Sequence, residues 1–257
     1  MSLLVICTVA FLASGLTLFS GFGLGTILMP AFALFFPLDM AIALTAIVHF
    51  LNNIFKFCLL GKLADKRILL RFGIPAFLSS IAGAFVLLKF NHLAPLVTYF
   101  VNDRQYSVET IKLVVALLMI FFVALEMHPK LKHVSFDGKY LPVGGILSGF
   151  FGGLAGHQGA LRGAFLIRCQ LTKEAYIATG VVIACMVDVS RLSIYAAHVR
   201  SSEIQENILL VCCAGAAAFA GSFLGNVWMK KVTIEAVQKI VAGMLFVIAV
   251  LLAAGII

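Results

Sequence analysis

Long apolar segments run through almost the whole chain, and they constrain its fold more than any other feature. Several reach the roughly 20 consecutive apolar residues that a helix needs to cross a bilayer. Of the 257 residues, 62% are hydrophobic and 12% are charged, about half the charged fraction that is usual in soluble domains. The pattern predicts an all-α polytopic membrane protein and argues against a soluble helical domain. The predicted segments are 3–18, 24–36, 40–60, 72–90, 108–126, 142–155, 159–168, 174–197, 205–228 and 236–256.

The first segment and the cysteines exclude two other interpretations. The start, MSLLVICTVAFLASGL, lacks the basic residues of a secretory signal, so we expect it to be the first membrane helix rather than a cleaved peptide. The six cysteines lie in or beside apolar segments and form no CxxC pair. We interpret them as small buried apolar side chains, not as metal or redox sites. The sequence therefore predicts neither a metal nor a cofactor.

The net charge of +8 is compatible with a nucleic-acid partner, but its distribution is not. Lys and Arg lie mainly in short loops between apolar segments, which is typical of cytoplasmic loops that meet lipid headgroups. We therefore expect the lipid bilayer, and no nucleic acid, as a partner.

Two of the apolar segments, 24–36 and 159–168, are too short to cross a membrane alone. Each follows a glycine-rich break, SGFGLG at 20–25 and GGLAGHQG at 152–159. The polar, turn-prone sequence EMHPKLKHVSFDGKYLP separates the two halves of the chain. We divide the chain into a first membrane repeat at 1–126, a cytoplasmic linker at 127–141 and a second membrane repeat at 142–257.

The two halves share one order of features: a break, a polar helix and an AGxF motif. A shift of 134 residues, with one residue of slip after the first matches, aligns them. The matches are Ser14-Gly15 with Ser148-Gly149, Gly25 with Gly159, Ala41 with Ala175, Thr45 with Thr179, Asn53 with Asp188, Lys56 with Arg191, and AGAF at 82–85 with AGSF at 220–223. This shared order predicts a duplication.

The positions of Lys and Arg bear on the topology. If each broken pair is a re-entrant hairpin, one face of the membrane collects most of the loop cations; if each pair crosses once, the two faces are nearly equal. The positive-inside rule favours hairpins and places both termini outside the cytoplasm. The halves are then inverted repeats, an architecture that places a transporter's site near the midplane. We expect a multi-pass protein of the cytoplasmic membrane.

Four charged residues remain at predicted membrane depth: Lys56, Arg162, Asp188 and Arg191. Each costs about 2.5–3.5 kcal/mol at a helix centre, so such groups usually face a cavity or a partner. Asp188 and Arg191 are spaced i, i+3 and can pair on one helix face. That pair is either purely structural or part of a substrate site.

Lys56 shares a predicted helix with Asn52 and Asn53 and has no acid nearby in sequence. Asn52 and Lys56 are spaced i, i+4 and lie on one face. Lys56 either meets an anionic ligand or extends to the interface. His49, on the same helix, is predicted to be structural.

The second break carries the richest chemistry. A helix that restarts at Gly159 presents free N–H groups and a positive dipole end, which suit an anion. His157 and Gln158 lie at this start, and Arg162 adds a bidentate donor one turn later. The first break, with Gly23 and Gly25, offers backbone without charge. His157 is either a ligand donor or proton carrier, or it simply bonds a carbonyl.

The sequence GILSGFFGGLAGHQGALRGAFLIR, followed by TGVVIACMVDVSRLSIY, resembles the sulfite exporter TauE/SafE family of membrane anion permeases. The similarity covers nearly the whole chain and is most specific in 145–195. The first half departs from the family, since FGLGT replaces a run of several glycines. The resemblance implies transport of sulfur oxyanions or organosulfonates, driven by an ion or proton gradient.

We therefore predict a secondary transporter that moves a small anion, such as sulfite, thiosulfate or a sulfonate, by alternating access. An anion channel and, less favoured, an integral membrane enzyme are the alternatives; no nucleophile–base pair or metal-ligand spacing supports the enzyme. A coupling proton or ion and a monomer or homodimer are expected. The predicted substrate-binding residues are His157, Gln158, Arg162, Lys56, Arg191, Asn52, Asn53, Gly23, Gly25 and Gly159, with Asp188 in charge pairing or proton coupling.

Overall fold

The computed structural model describes residues 1–20, 23–91, 93–127, 135–197, 201–228 and 234–257. Much of the predicted linker, at 128–134, and part of the first break, Gly21 and Phe22, lie outside these residues. The described chain is mostly helical, and its helices follow the predicted apolar segments closely. Both short segments after the breaks are short helices.

Six helices form the part of the chain before the linker. They are α1 (Ser2–Ser20), α2 (Leu24–Ala33), α3 (Leu38–Leu60), α4 (Lys66–Ile68), α5 (Ile74–Asn91) and α6 (Thr110–Met127). Six more follow the linker. They are α7 (Leu141–Ala155), α8 (Gly159–Leu166), α9 (Lys173–Ala196), α10 (Ser201–Glu206), α11 (Ile208–Trp228) and α12 (Ile234–Ala253). A π-helical turn at Leu69–Gly73 joins α4 to α5, and a 3-10 turn at Gly138–Tyr140 precedes α7.

Three helical stretches of the described chain are long and apolar enough to cross a membrane: Leu38–Leu63, Lys66–Phe90 and Lys173–Ala196. Shorter apolar helices accompany them at Ser2–Leu16, Leu24–Ala33, Thr110–Leu125, Ile208–Leu224 and Ala242–Ala253. Many large apolar side chains remain exposed on these helices. Such a surface is stable where acyl chains, rather than water, surround it.

A β-hairpin, which the sequence analysis does not predict, lies between α5 and α6. Strand β1 (Val97–Val101) pairs antiparallel with β2 (Arg104–Val108). Asn102 and Asp103 turn the chain with φ of 48° and 60°. Two successive left-handed residues are what a two-residue hairpin turn requires, and Asn and Asp tolerate that conformation better than most residues. Stacked rings of Tyr99 and Tyr106, 5.6 Å apart, join the strands.

The cysteines differ from expectation, because none of the six is fully buried. Cys58 and Cys212 are exposed, and the other four are half-buried. The prediction of buried side chains is therefore wrong. The physical reason is that a thiol on the outer face of an apolar helix needs no protein cover when its surroundings are apolar.

Each half of the chain packs its first helix against the other half. Helix α1 lies along α11, and α7 lies along α5. The glycines of the two AGxF motifs lie in these contacts: a Cβ at Gly83 would collide with the carbonyl of Phe150, and one at Gly221 with the carbonyl of Phe11. Glycine is needed at both positions because helix backbones touch there.

The two ends of the helical bundle contain different features. At one end, the loop before α5, the start of α7 and Cys169 after α8 line a single cavity. Both ends of the α7–α8 unit therefore lie at this end of the bundle. The 18 residues of α5 span about 27 Å and lead away from this cavity. The β-hairpin follows α5, so it lies at the other end of the bundle. There the Tyr99 hydroxyl donates to the carbonyl of Ala254, at 2.5 Å.

Candidate functional site

A fully buried ion pair occupies the middle of α9. The Nε and Nη2 atoms of Arg191 donate to Oδ1 of Asp188 at 3.0 and 2.7 Å. The Nη1 atom of Arg191 also donates to the carbonyl of Gly152 in α7, at 3.3 Å. The pair therefore forms with the i, i+3 spacing on one helix face, and it ties α9 to the turn before the second break.

The other oxygen of Asp188 bonds to the first half of the chain. His49 Nδ1 lies 2.6 Å from Asp188 Oδ2, and Asn53 Nδ2 donates to the same oxygen at 3.3 Å. Both oxygens of the Asp188 carboxylate therefore have hydrogen-bonding partners: a guanidinium on one, and an imidazole and an amide on the other. Sequence analysis assigned His49 a structural role and did not connect it with Asp188. No local sequence signal connects His49 with Asp188, since 139 residues separate them.

The second break is a sharp turn between α7 and α8. Gly156 caps α7 with φ of 78°, a left-handed conformation that glycine adopts without strain. His157 and Gln158 follow, both 2% exposed, and α8 begins at Gly159. The Ser148 hydroxyl donates to the carbonyl of Gln158 at 3.0 Å. The turn is thus held by backbone and serine bonds, not by its own polar side chains.

Those polar side chains lack partners among the described residues. Both ring nitrogens of His157, both amide atoms of Gln158 and Nη1 of Arg162 are buried without a hydrogen bond. The His157 ring stacks on the ring of Phe122, with ring centres 5.5 Å apart. A buried unpaired polar group costs about 1–3 kcal/mol. Five such atoms in one turn of chain call for a bound ligand or water.

Arg162 and Lys56 are two further cations, and their charges interact. The Arg162 side chain is half-buried and passes Gly180 of α9, where a Cβ would lie 3.4 Å from its Nε. Lys56 of α3 is also half-buried, and its charge and that of Arg162 repel each other. Neither side chain forms a salt bridge within the described chain. Since Asp188 neutralises Arg191, these two cations leave the site net positive.

The start of α2 meets the start of α8. A Cβ at Gly23 would lie 3.9 Å from both the N and Cα atoms of Gly159, and one at Gly25 would lie 3.4 Å from the carbonyl oxygen of Gly156. The positive ends of two helix dipoles therefore converge beside the unpaired side chains. Thr45, whose hydroxyl is buried without a partner, lies beside Gly25. Its type gave no sequence signal, since such hydroxyls usually bond their own helix.

Asn52 lies in a different network. Its Oδ1 accepts hydrogen bonds from Ser14 of α1 at 3.2 Å and from Ser222 of α11 at 2.9 Å. Its Nδ2 is buried without a partner in the described residues. These contacts join α3 to the α1–α11 pair and do not involve the second break.

The chemistry of the residues around the second break favours an anion over a metal ion as a ligand. Among the described residues, no three His, Cys, Asp or Glu side chains group as metal ligands. Unpaired donors, two cations and two helix starts favour a ligand with several acceptor oxygens and negative charge.

Comparison with known proteins identifies the family. The family model described as sulfite exporter TauE/SafE matches residues 6–252, nearly the whole chain. Searches of curated proteins and of solved structures each returned no match. The family match, with the apolar helices, makes this a membrane protein of the transport class. The chain therefore belongs to the sulfite exporter TauE/SafE family, which implies export of sulfite or another anion across a membrane.

Proposed function

We propose that the chain is a secondary transporter that moves a sulfur oxyanion or an organosulfonate across the cytoplasmic membrane by alternating access. The anion binds where the starts of α2 and α8 meet. This proposal rests on one observation above all: the buried polar atoms of His157, Gln158 and Arg162 have no partner among the described residues.

The chemistry of these atoms fits a sulfonate or sulfite group. The Arg162 guanidinium offers a planar fork of donors, and the amide of Gln158 and a ring N–H of His157 add single donors. The free N–H groups at Gly159 lie at the same helix start. Lys56 supplies a second positive charge. Together these groups replace the hydration shell that the anion loses in the membrane interior.

The Asp188–Arg191 pair positions the site instead of providing its charge. Arg191 lies against Gly156, since a Cβ there would be 3.1 Å from its Nη1. Its bond to the Gly152 carbonyl holds the turn that carries His157. Asp188 neutralises Arg191 and links it to His49 and Asn53 on α3. A change of protonation in this group is also the route by which a coupling proton would act.

The arrangement of helices supports inverted repeats at 1–126 and 142–257, each with a re-entrant hairpin. Leu141 before α7 and Cys169 after α8 line the same cavity, as a hairpin requires. The α1–α11 and α7–α5 contacts are reciprocal between the halves. Rocking of one repeat against the other would open the midplane site to each side in turn.

Replacement of Arg162 tests the site directly. We expect Arg162→Ala to abolish binding of sulfite, thiosulfate and an alkanesulfonate, because the main donor and charge are lost. Binding is measured on purified protein as a rise in melting temperature. A ligand at 100 times its Kd stabilises the folded state by about 2.7 kcal/mol and so raises that temperature. Arg162→Lys should retain weaker binding, since the charge remains but the fork is lost.

Arg168→Ala is the matched control, because Arg168 is exposed and lies just beyond α8. It should bind like the parent protein. Normal anion binding by purified Arg162→Ala would overturn the assignment of the site. In proteoliposomes, unlabelled anion inside the vesicles should accelerate uptake of labelled anion from outside, and the uptake rate should saturate with anion concentration. A flux that shows neither acceleration nor saturation would indicate a channel.

A further inference from the structure

A hollow lined by cations lies at the end of the bundle opposite the β-hairpin. It has a volume of about 400 Å³, within the range of small-molecule sites and on the order of a dozen waters. It lies between α4 with the π-helical turn that follows it, the 3-10 turn before α7, and the segment after α8 that contains Cys169. Its lining residues are Asp65, Arg67, Ile68, Arg71, Asp137, Gly138, Lys139, Leu141 and Cys169.

The two acids of this hollow are engaged in helix capping. Asp65 Oδ1 accepts the N–H of Ile68 at 2.9 Å, which caps α4. Asp137 Oδ1 accepts the N–H of Lys139 at 2.9 Å, which caps the 3-10 turn before α7. Neither carboxylate forms a salt bridge within the described chain. The acids reduce the positive charge of the hollow without pairing with its cations.

Three cations line the hollow: Arg67, Arg71 and Lys139. All three are exposed, and none forms a salt bridge with a described residue. Two guanidinium forks and an ammonium match the oxygens of a phosphate group. Lys139 also lies 4.9 Å from the Tyr140 ring centre, which orients its ammonium group.

Exposed apolar side chains lie close in sequence to the residues that line the hollow. Leu70, Val143 and Ile167 are 64%, 51% and 67% exposed, and each lies within two residues of a lining residue. On membrane helices, exposed apolar side chains such as these offer a surface for the acyl chains of a lipid. Basic pockets between membrane helices on the positively charged side commonly hold anionic headgroups.

We propose that this hollow is a binding site for a phosphate group, and that an anionic phospholipid supplies it. The site is separate from the helix breaks and does not rest on the transport proposal. The phosphate accepts hydrogen bonds from Arg67, Arg71 and Lys139. The acyl chains lie along the exposed faces of α5 and α7.

The test compares a variant that removes these cations with a matched one. The first is Arg67→Gln/Arg71→Gln/Lys139→Gln; the control, Lys62→Gln/Lys66→Gln/Arg168→Gln, removes three exposed cations outside the hollow. Delipidated protein receives phosphatidylglycerol or phosphatidylcholine, and melting temperature is measured. We expect phosphatidylglycerol to raise the melting temperature of the parent and control by several degrees, and phosphatidylcholine to raise it much less. The cavity variant should lose at least half of that difference.

Two outcomes would overturn the site: an undiminished phosphatidylglycerol effect in the cavity variant, or equal effects of the two lipids on the parent. A single elution peak at the parent position shows that the variant is folded; if it is not, Lys139→Gln alone replaces it, with Lys62→Gln as its control. A parallel titration with glycerol phosphate separates the sources. Stabilisation of the parent by glycerol phosphate but not by the lipid would assign the site to a soluble phosphate ester and refute the lipid. No effect of either would refute both.

Discussion

The two helix breaks occupy corresponding places in the two halves, yet their surroundings differ. After the first break, all ten residues of α2 are buried, and the side chains there are apolar apart from Thr26. After the second, α8 is only partly buried, and His157, Gln158 and Arg162 present polar atoms that lack partners in the described chain. The helix after the first break is packed as core, whereas the turn at the second break leaves buried polar atoms without partners among the described residues. Two helix starts at corresponding places in the chain can thus carry unequal chemistry.

The largest expected effect of this difference between the halves is at Asp188. It is compared with Asn53, its counterpart in the repeat alignment. Asp188→Asn should lower the unfolding free energy by about 3–5 kcal/mol, because Arg191 is left as a buried charge without its counter-ion. Asn53→Ala should cost less, about 1.5–3 kcal/mol, since one hydrogen bond to a carboxylate is lost while Arg191 and His49 still contact Asp188. Denaturant titration in mixed micelles measures both. Equal losses would show that the two halves contribute alike.

The second test concerns the close contacts in which the halves are alike. Gly83→Ala and Gly221→Ala should each destabilise the protein by about 1–3 kcal/mol, because each new methyl group meets a backbone carbonyl of another helix. Gly243→Ala is the control, since no atom of the described residues lies within 4 Å of its Cβ position. That variant should be neutral or slightly stabilised. A large effect at only one of the first two positions would contradict the reciprocal packing.

The smallest expected effect separates the two breaks by backbone conformation. Gly156→Ala should cost about 1–2 kcal/mol, because φ is 78° there. Gly23→Ala should change stability little, since φ is −76° and the new methyl would make only ordinary contacts. Melting temperatures of the purified variants provide the comparison. A loss at Gly23 as large as that at Gly156 would remove the distinction.

Local sequence predicted the helices and the breaks well. Apolar length and glycine-rich interruptions depend on neighbouring residues, so the bounds of α2, α3, α8 and α9 lie within a few residues of the predicted segments. The β-hairpin was not predicted, although its β-branched and aromatic residues flank an Asn-Asp turn. The burial of the cysteines was predicted wrongly, because composition does not say which face of a helix meets lipid.

Some features of the candidate site could likewise be predicted from local sequence, and others could not. The identities of the charged residues at membrane depth, and the spacing of Asp188 and Arg191, are properties of the sequence. The bond from His49 to Asp188 and the placing of Asn52 with Ser14 and Ser222 are not. These contacts join residues far apart in the chain, and no local pattern encodes which partner each one meets.

The sequence by itself determined that the chain belongs in a membrane, that two of its helices are broken by glycine, and that the second break carries donors. These conclusions depend on the cost of burying polar groups in an apolar medium, which composition and spacing express directly. Only the tertiary structure decided which donors are left without partners, because hydrogen bonds between distant helices satisfy some groups and not others. It paired Arg191 with Asp188, whereas Arg162 and Lys56 form no salt bridge with any residue that the structure describes.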